Sequence, residues 1–166
     1  MVSYKPQKRD PAIVSFTNDH HIGLLLVWKI RKGINYYIDI SRISDYILFV
    51  FKNHLKQHFL EEEELLFSVL SNDNAMRIAA ENDHMHLTSL IEKIETKPVS
   101  TNTIEFADKP EQHIRFEERI LFNHLRDNLN EQQLTSIAQQ MGIRPDTFNE
   151  DKWEDTFWIK NETVLN

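Results

Sequence analysis

The sequence predicts an all-α fold, an up-down-up-down four-helix bundle with a short extra C-terminal helix and a tail. Three observations predict it. Glycine and proline are scarce, 3 and 5 in 166 residues, which suits long helices and suits β-rich folds poorly. Apolar residues recur with a helical period along the long segments. Short polar or proline-bearing connectors separate those segments, as between antiparallel neighbours in a bundle.

The elements follow in order. Residues 1–17 carry Pro6 and Pro11 without a helical period and are expected to form an extended arm. Asn18 or Asp19 can cap a first helix, with Leu24, Val27, Trp28 and Ile30 on its apolar side and Gly33 as its stop. After a connector at 35–40, Ser41 or Ser44 opens a long helix through Tyr46, Phe51, Leu55, Phe59, Leu66 and Leu70. Ser71-Asn72-Asp73-Asn74 is a turn with capping residues. A third helix keeps its period from Met76 through Ala80, His84, Leu87 and Ile91 to Ile94, and Lys97-Pro98-Val99-Ser100 breaks it. A fourth runs to about Asn128, with Pro110 either in its first turn or kinking it. Asn130 caps a short fifth helix ending at Gly142. The bundle is thus expected over 18–142. The tail at 143–166 holds Trp153, Phe157 and Trp158 among acids and is expected to pack on the bundle, with a partner-binding tail as the alternative.

Composition narrows the function. The length suits one domain with a core large enough to need no staples. There are no cysteines, which excludes disulfides, iron–sulfur clusters and thiolate zinc sites. A net charge of −7 argues against a nucleic-acid partner, which favours a basic face. The first ten residues are charged without an apolar stretch behind them, and the longest apolar run, Ile22 to Trp28, is too short to span a bilayer. No membrane and a cytoplasmic location are the expectation.

The informative feature is a repeated segment. His58-Phe59-Leu60-Glu61-Glu62-Glu63-Glu64-Leu65-Leu66-Phe67 aligns with His113-Ile114-Arg115-Phe116-Glu117-Glu118-Arg119-Ile120-Leu121-Phe122. Both copies have Glu at +4 and +5, Leu at +8 and Phe at +9, and Leu70 matches Leu125 at +12. Residues four apart share a helix face. His58 projects with Glu62, and His113 with Glu117, each in line with core leucines. Composition alone gives about 0.7 His residues followed by Glu at +4, so the pairs alone are weak and the joint match is not. An ionised carboxylate facing a core is costly unless paired or bound to metal. Glu63 and Glu118 turn away by roughly 100° and are expected to tolerate Gln.

The other two helices complete the set. Asp19-His20 lies near the start of the first, and Asp83-His84 lies in the third. Each histidine heads an apolar stripe. His21 competes with His20, which is preferred because its stripe stays apolar through Ile34 while that of His21 reaches Asn35. His54 lies four before His58 and can support it from outside. His86 and His124 are expected on the surface.

Together these residues resemble the hemerythrin-like (HHE cation-binding) domain family over roughly residues 18–128. That family has a His early in the first helix, His-x-x-x-Glu-Glu in the second, an acid-His pair in the third and His-x-x-x-Glu-Glu in the fourth. The resemblance implies His20, His58, Glu62, His84, His113 and Glu117 as metal ligands. It implies two iron ions bridged by the carboxylates and by an oxo or hydroxo group, with other divalent metals as the alternative. It implies a protein that binds or senses oxygen or nitric oxide or handles iron, more a binding protein than an enzyme. Two departures stand out. Oxygen carriers have a third-helix His pair four apart, and here Thr88 follows His84 at +4. The iron–sulfur repair relatives usually carry a cysteine-bearing N-terminal segment, absent here. The alternatives are a ferritin-like di-iron oxidase, for which only Glu81-Asn82-Asp83-His84 fits the Glu-x-x-His motif, and a metal-free interaction bundle.

Overall fold

The structure is a computed structural model and describes residues 10–143 and 148–160. Among them every regular element is helical. Helix α1 spans Pro11–Asn35. Helices α2 (Ile40–Val50) and α3 (Lys56–Glu61) continue one another through a π-helical turn at Phe51–Leu55. A second π turn at Glu62–Leu66 follows α3. Then come α4 (Ala75–Thr96) and α5 (Ser100–Phe116), a third π turn at Glu117–Leu121, α6 (Phe122–Asn128) and α7 (Glu131–Ile143).

The arm expected over 1–17 is corrected within the described residues, because α1 already begins at Pro11. Asp10 caps it by accepting a hydrogen bond from the Ala12 N–H at 2.9 Å, and Pro11 occupies the first turn, where its missing N–H costs nothing. Residues 1–9 lie outside the described set. Gly33 does not stop α1 either. A Cβ there would lie 2.8 Å from the Phe157 ring and 2.9 Å from Ile43, so glycine serves a close approach. The chain turns only at Tyr37, with φ of 56°. The side expected to be apolar is also rotated: Leu24 and Trp28 are exposed, and Gly23, Leu26, Val27 and Ile30 are buried.

Other boundaries sit close to their signals. Asp39 caps α2 through the Ser41 N–H, and Asn74 caps α4 through the N–H groups of Met76 and Arg77. Asn130 and Gln133 exchange backbone and side-chain hydrogen bonds at the start of α7. Pro110 lies inside α5, one turn before His113.

Helix α1 packs against α2, α5 and α7, and α4 packs against α2 and α5. Two apolar clusters result. One gathers Leu26, Ile30, Ile47, Val50, Leu87, Leu90 and Phe106. The other gathers Phe16, Leu66, Phe67, Ala80, Leu121, Phe122 and Leu125. The tail joins the first cluster. Phe157 is buried against Tyr46, and Trp153 and Trp158 lie on the same tyrosine with ring centroids 5.3 and 5.0 Å away. Arg42 holds Asp155 through two hydrogen bonds. Residues 144–147 and 161–166 of the expected tail lie outside the described set. No described helix is long and apolar enough to cross a membrane.

Candidate metal centre

Between the two apolar clusters lies a layer of buried polar side chains. His20 comes from α1, His58 from α3, His84 from α4 and His113 from α5; Glu62 and Glu117 each open a π turn. Both glutamates are 0 % exposed, and the four histidines are 1–2 % exposed. All six expected ligands are therefore brought to one layer. His21 is exposed, and so is not part of it.

The donor atoms converge. Glu62 Oε1 lies 3.3 Å from His20 Nε2 and 3.2 Å from His58 Nε2, while its Oε2 lies 3.2 Å from His84 Nε2. Glu117 Oε1 lies 3.3 Å from His113 Nε2, and its Oε2 lies 3.0 Å from His20 Nε2. His84 Nε2 and His113 Nε2 are 2.9 Å apart. Glu62, His84, His113 and Glu117 form one group with ligand atoms within 4.8 Å of one another; His20, His58 and Glu62 form a second. Glu62 belongs to both, and Glu117 reaches the second through His20.

The donor set fits metal ions. Glu62 Oε2 and both oxygens of Glu117 are buried and accept no well-directed hydrogen bond, although imidazole nitrogens lie close by. The ligand atoms of each group lie within 4.8 Å of one another, close enough to share an ion. Ring nitrogens at right angles on one six-coordinate ion, each at about 2.1 Å, are about 3.0 Å apart, close to the 2.9 Å His84–His113 separation. Unpaired buried carboxylates are otherwise strongly unfavourable.

The outward nitrogens meet acids. His20 Nδ1 is 3.0 Å from Glu118, His84 Nδ1 is 2.8 Å from Glu63, His113 Nδ1 is 3.3 Å from Asp83 and His58 Nδ1 is 3.4 Å from Asp19. A carboxylate on Nδ1–H fixes the tautomer that leaves Nε2 free to ligate. Glu63 and Glu118 also have partners that the helical wheel does not supply. They do leave the inner face, but each reaches the histidine of a neighbouring helix. A helical wheel shows that a residue has turned, not what it turns toward. The adjacent acids are also crossed: Asp19 serves His58, not His20, and Asp83 serves His113, not His84.

The repeated phenylalanines at +9 have a matching task. Phe67 packs on His84 with centroids 5.4 Å apart, and Phe122 stacks on His20 at 5.5 Å. The π turns at Glu62 and Glu117 were missed by pattern reading. Each widens the helix where one glutamate must face in and the next must face a neighbour, and such turns are frequent at functional sites.

Close acids favour the protonated form of three of the histidines. Burial disfavours a charged imidazole, yet attraction to Glu62 and hydrogen bonds to Asp19 and Glu62 raise the pKa of His58 to about 9. Burial likewise opposes protonation of His84, but Glu62 and Glu63 raise it to about 9. His20 is raised well above its ordinary value against the same burial, by Glu117, Glu118 and Glu62. Burial would lift Glu62, but the charge of His58 and hydrogen bonds from His20, His58 and His84 hold it well below the usual carboxylate range. Asp83 is lowered chiefly by the His113 hydrogen bond.

The remaining candidates fall outside the layer. Glu81, the acid of the single Glu-x-x-His motif, accepts from Arg77 at 2.7 Å on the outside of α4. His86 pairs with Glu105 at the surface, and His124 contacts Asn128. His54 is buried, stacks parallel to His58 at 6.0 Å and touches Phe148. Thr88 lies on the wall of a surface groove whose floor includes His84.

Comparison with protein-family models, with curated proteins and with solved structures returns no match. The fold and the site together define an all-helical protein with a buried His/Glu cluster that could hold metal.

Proposed function

We propose that this chain is a non-haem di-iron protein of the hemerythrin-like kind. In this reading α1, α2–α3, α4 and α5–α6 form an up-down-up-down four-helix bundle around the metal layer. The observation that carries the reading is the sharing of Glu62 and Glu117. Each fully buried carboxylate offers one oxygen toward His84 or His113 and the other toward His20, the arrangement expected of acids that bridge two ions. Imidazole and carboxylate donors suit iron.

A pair of iron ions held there would supply electrons to, and a binding position for, a small diatomic ligand such as oxygen or nitric oxide. The chain's own residues supply the rest. Beside the layer lies a small, largely enclosed cavity walled by Gly23, Leu55, Leu87, Phe106, Pro110 and Ile114 and reaching His20, His58 and His113. It leaves about 10 Å³ for the centre of a water-sized sphere, room for about one small molecule. Its apolar walls limit water and hold no acid–base pair apart from the histidines and Asp19, which supports binding or sensing over turnover of an organic substrate. The outer acids orient the imidazoles.

The test is metal analysis and an electronic spectrum of protein made in iron-rich medium without chelator. Two irons per chain with a carboxylate-bridged di-iron(III) spectrum are expected. One zinc per chain, or no metal, overturns the reading.

A further inference from the structure

Two spaces reach the layer of buried histidines. One is the small cavity just described. The other is an open groove between α2–α3 and α4, about 540 Å³ by the same measure. Its walls include Phe51, Lys56, Leu60, Met85, Thr88 and Ile91, and Glu63 and His84 lie at its inner end. A single residue, Phe59, lines both spaces.

Phe59 is 8 % exposed. Its ring lies nearly parallel to the His84 imidazole, with centroids 4.1 Å apart and planes 13° from parallel. It meets His113 edge-on at 5.9 Å and Phe51 at 6.2 Å. The ring is therefore a partition, with solvent-connected groove on one side and the cavity beside His58 and His113 on the other. The repeat makes its identity informative. The matching residue after His113 is Ile114, which faces Gly23 across the cavity. An isoleucine fills; a flat ring can swing aside on two dihedral angles and close again.

We propose that Phe59 is the gate through which a small apolar ligand passes from the α3–α4 groove into the cavity at the metal centre. This rests on the reading of the layer as a di-metal site for a diatomic ligand. The stack on His84 holds the gate shut, and the size of the cavity behind it limits what can stay. Bulky polyatomic ligands find the groove but not the centre. Met85, 63 % exposed on the groove rim, marks the outer end of the route.

The experiment uses iron-loaded full-length protein and nitric oxide as probe, with association followed by stopped flow. Phe59→Leu removes the flat ring and keeps an apolar side chain against His84. It should leave the iron content unchanged and raise the association rate about tenfold, the loss of roughly one ring-stacking contact from the barrier. Met85→Trp, which crowds the groove and touches no ligand, should slow association severalfold. Unchanged rates in both variants, with iron intact, overturn the gate. So does equal acceleration in Ile114→Val, which would place the route on the opposite side. Xenon exchange into the cavity, read by xenon NMR on protein as purified, needs no iron. Faster exchange in Phe59→Leu supports the gate even where iron binding fails, and unchanged exchange overturns it there. The two ideas are thereby separable.

Discussion

The two halves of the chain are wired alike and filled differently. In the first half Asp19 holds His58, and in the second Asp83 holds His113. Across the halves, Glu63 holds His84 and Glu118 holds His20. The π turns begin at equivalent glutamates, and the two +9 phenylalanines cover each other's histidines. The residues between these fixed points do not match. Gly23, three after His20, corresponds to Leu87, three after His84; Leu55 corresponds to Pro110, and Phe59 to Ile114. All six line the cavity. The halves agree in the buried His/Glu layer that could hold metal, and they differ in the residues that wall the cavity beside it.

The sharpest attack on the agreement is at the shared acids. Glu62→Ala and Glu117→Ala should each reduce bound metal from two ions per chain to one or fewer, by elemental analysis. A bridging carboxylate serves both ions, and the loss also leaves buried imidazoles without a partner. Retention of two ions in either variant would break the proposed sharing.

The crossed acids come next. Glu63→Ala and Glu118→Ala should each weaken metal binding about 10- to 100-fold, the usual cost of losing a carboxylate behind a ligating histidine. Competition with a chromophoric chelator measures it. Similar losses from both halves support the two-fold wiring; a loss from only one would show that the halves are energetically unequal.

Protons compete with metal for the same imidazoles. His58 and His84 are raised from 6.5 to about 9. The stability they contribute in chelator-treated protein is fully present below pH 6.5, the unfolded value, and is lost as pH rises through about 9. Its melting temperature should fall across that window. Metal uptake at neutral pH should release protons, seen as a buffer-dependent calorimetric heat.

The smallest effect tests the disagreement. A Cβ at Gly23 would sit 2.9 Å from Ile114 Cδ1, and both residues line the cavity, so the added methyl crowds it. Gly23→Ala gains about 1 kcal/mol of helix propensity against an overpacking cost of about 1–3 kcal/mol. Stability by urea unfolding should change by no more than about 2 kcal/mol, while xenon binding is lost. Unimpaired xenon binding would show that Gly23 does not keep the cavity open.

The buried His/Glu layer was legible in the sequence because an i, i+4 pair written twice survives any uncertainty about helix ends. It did not carry Glu63 and Glu118, whose partners sit on other helices and have no spacing signal. The π turns were hidden for a similar reason, since their i to i+5 pattern is set by tertiary packing. The start of α1 was readable in Asp10-Pro11 but was masked by reading proline as a breaker. Gly33 was misread because a glycine needed for a neighbour's close approach looks the same in sequence as one that ends a helix. The all-helical character was plain from composition and period alone.

Lys29 lies in the middle of α1, 4 % exposed, bonded to Tyr46 and Glu150, with its ammonium 3.8 Å from the centre of the Trp158 ring. Synthesis proceeds from residue 29 toward residue 150, so a nascent chain that has already made every helix of the buried His/Glu layer still lacks the counter-charge for this lysine. Burying an ammonium without its acid is costly. The apolar cluster around Tyr46 therefore reaches its final form late, when the tryptophan-bearing segment emerges and closes over the cation. Ribosome-bound chains that stop short of residue 150 should keep this end of the molecule open to water and to chaperones.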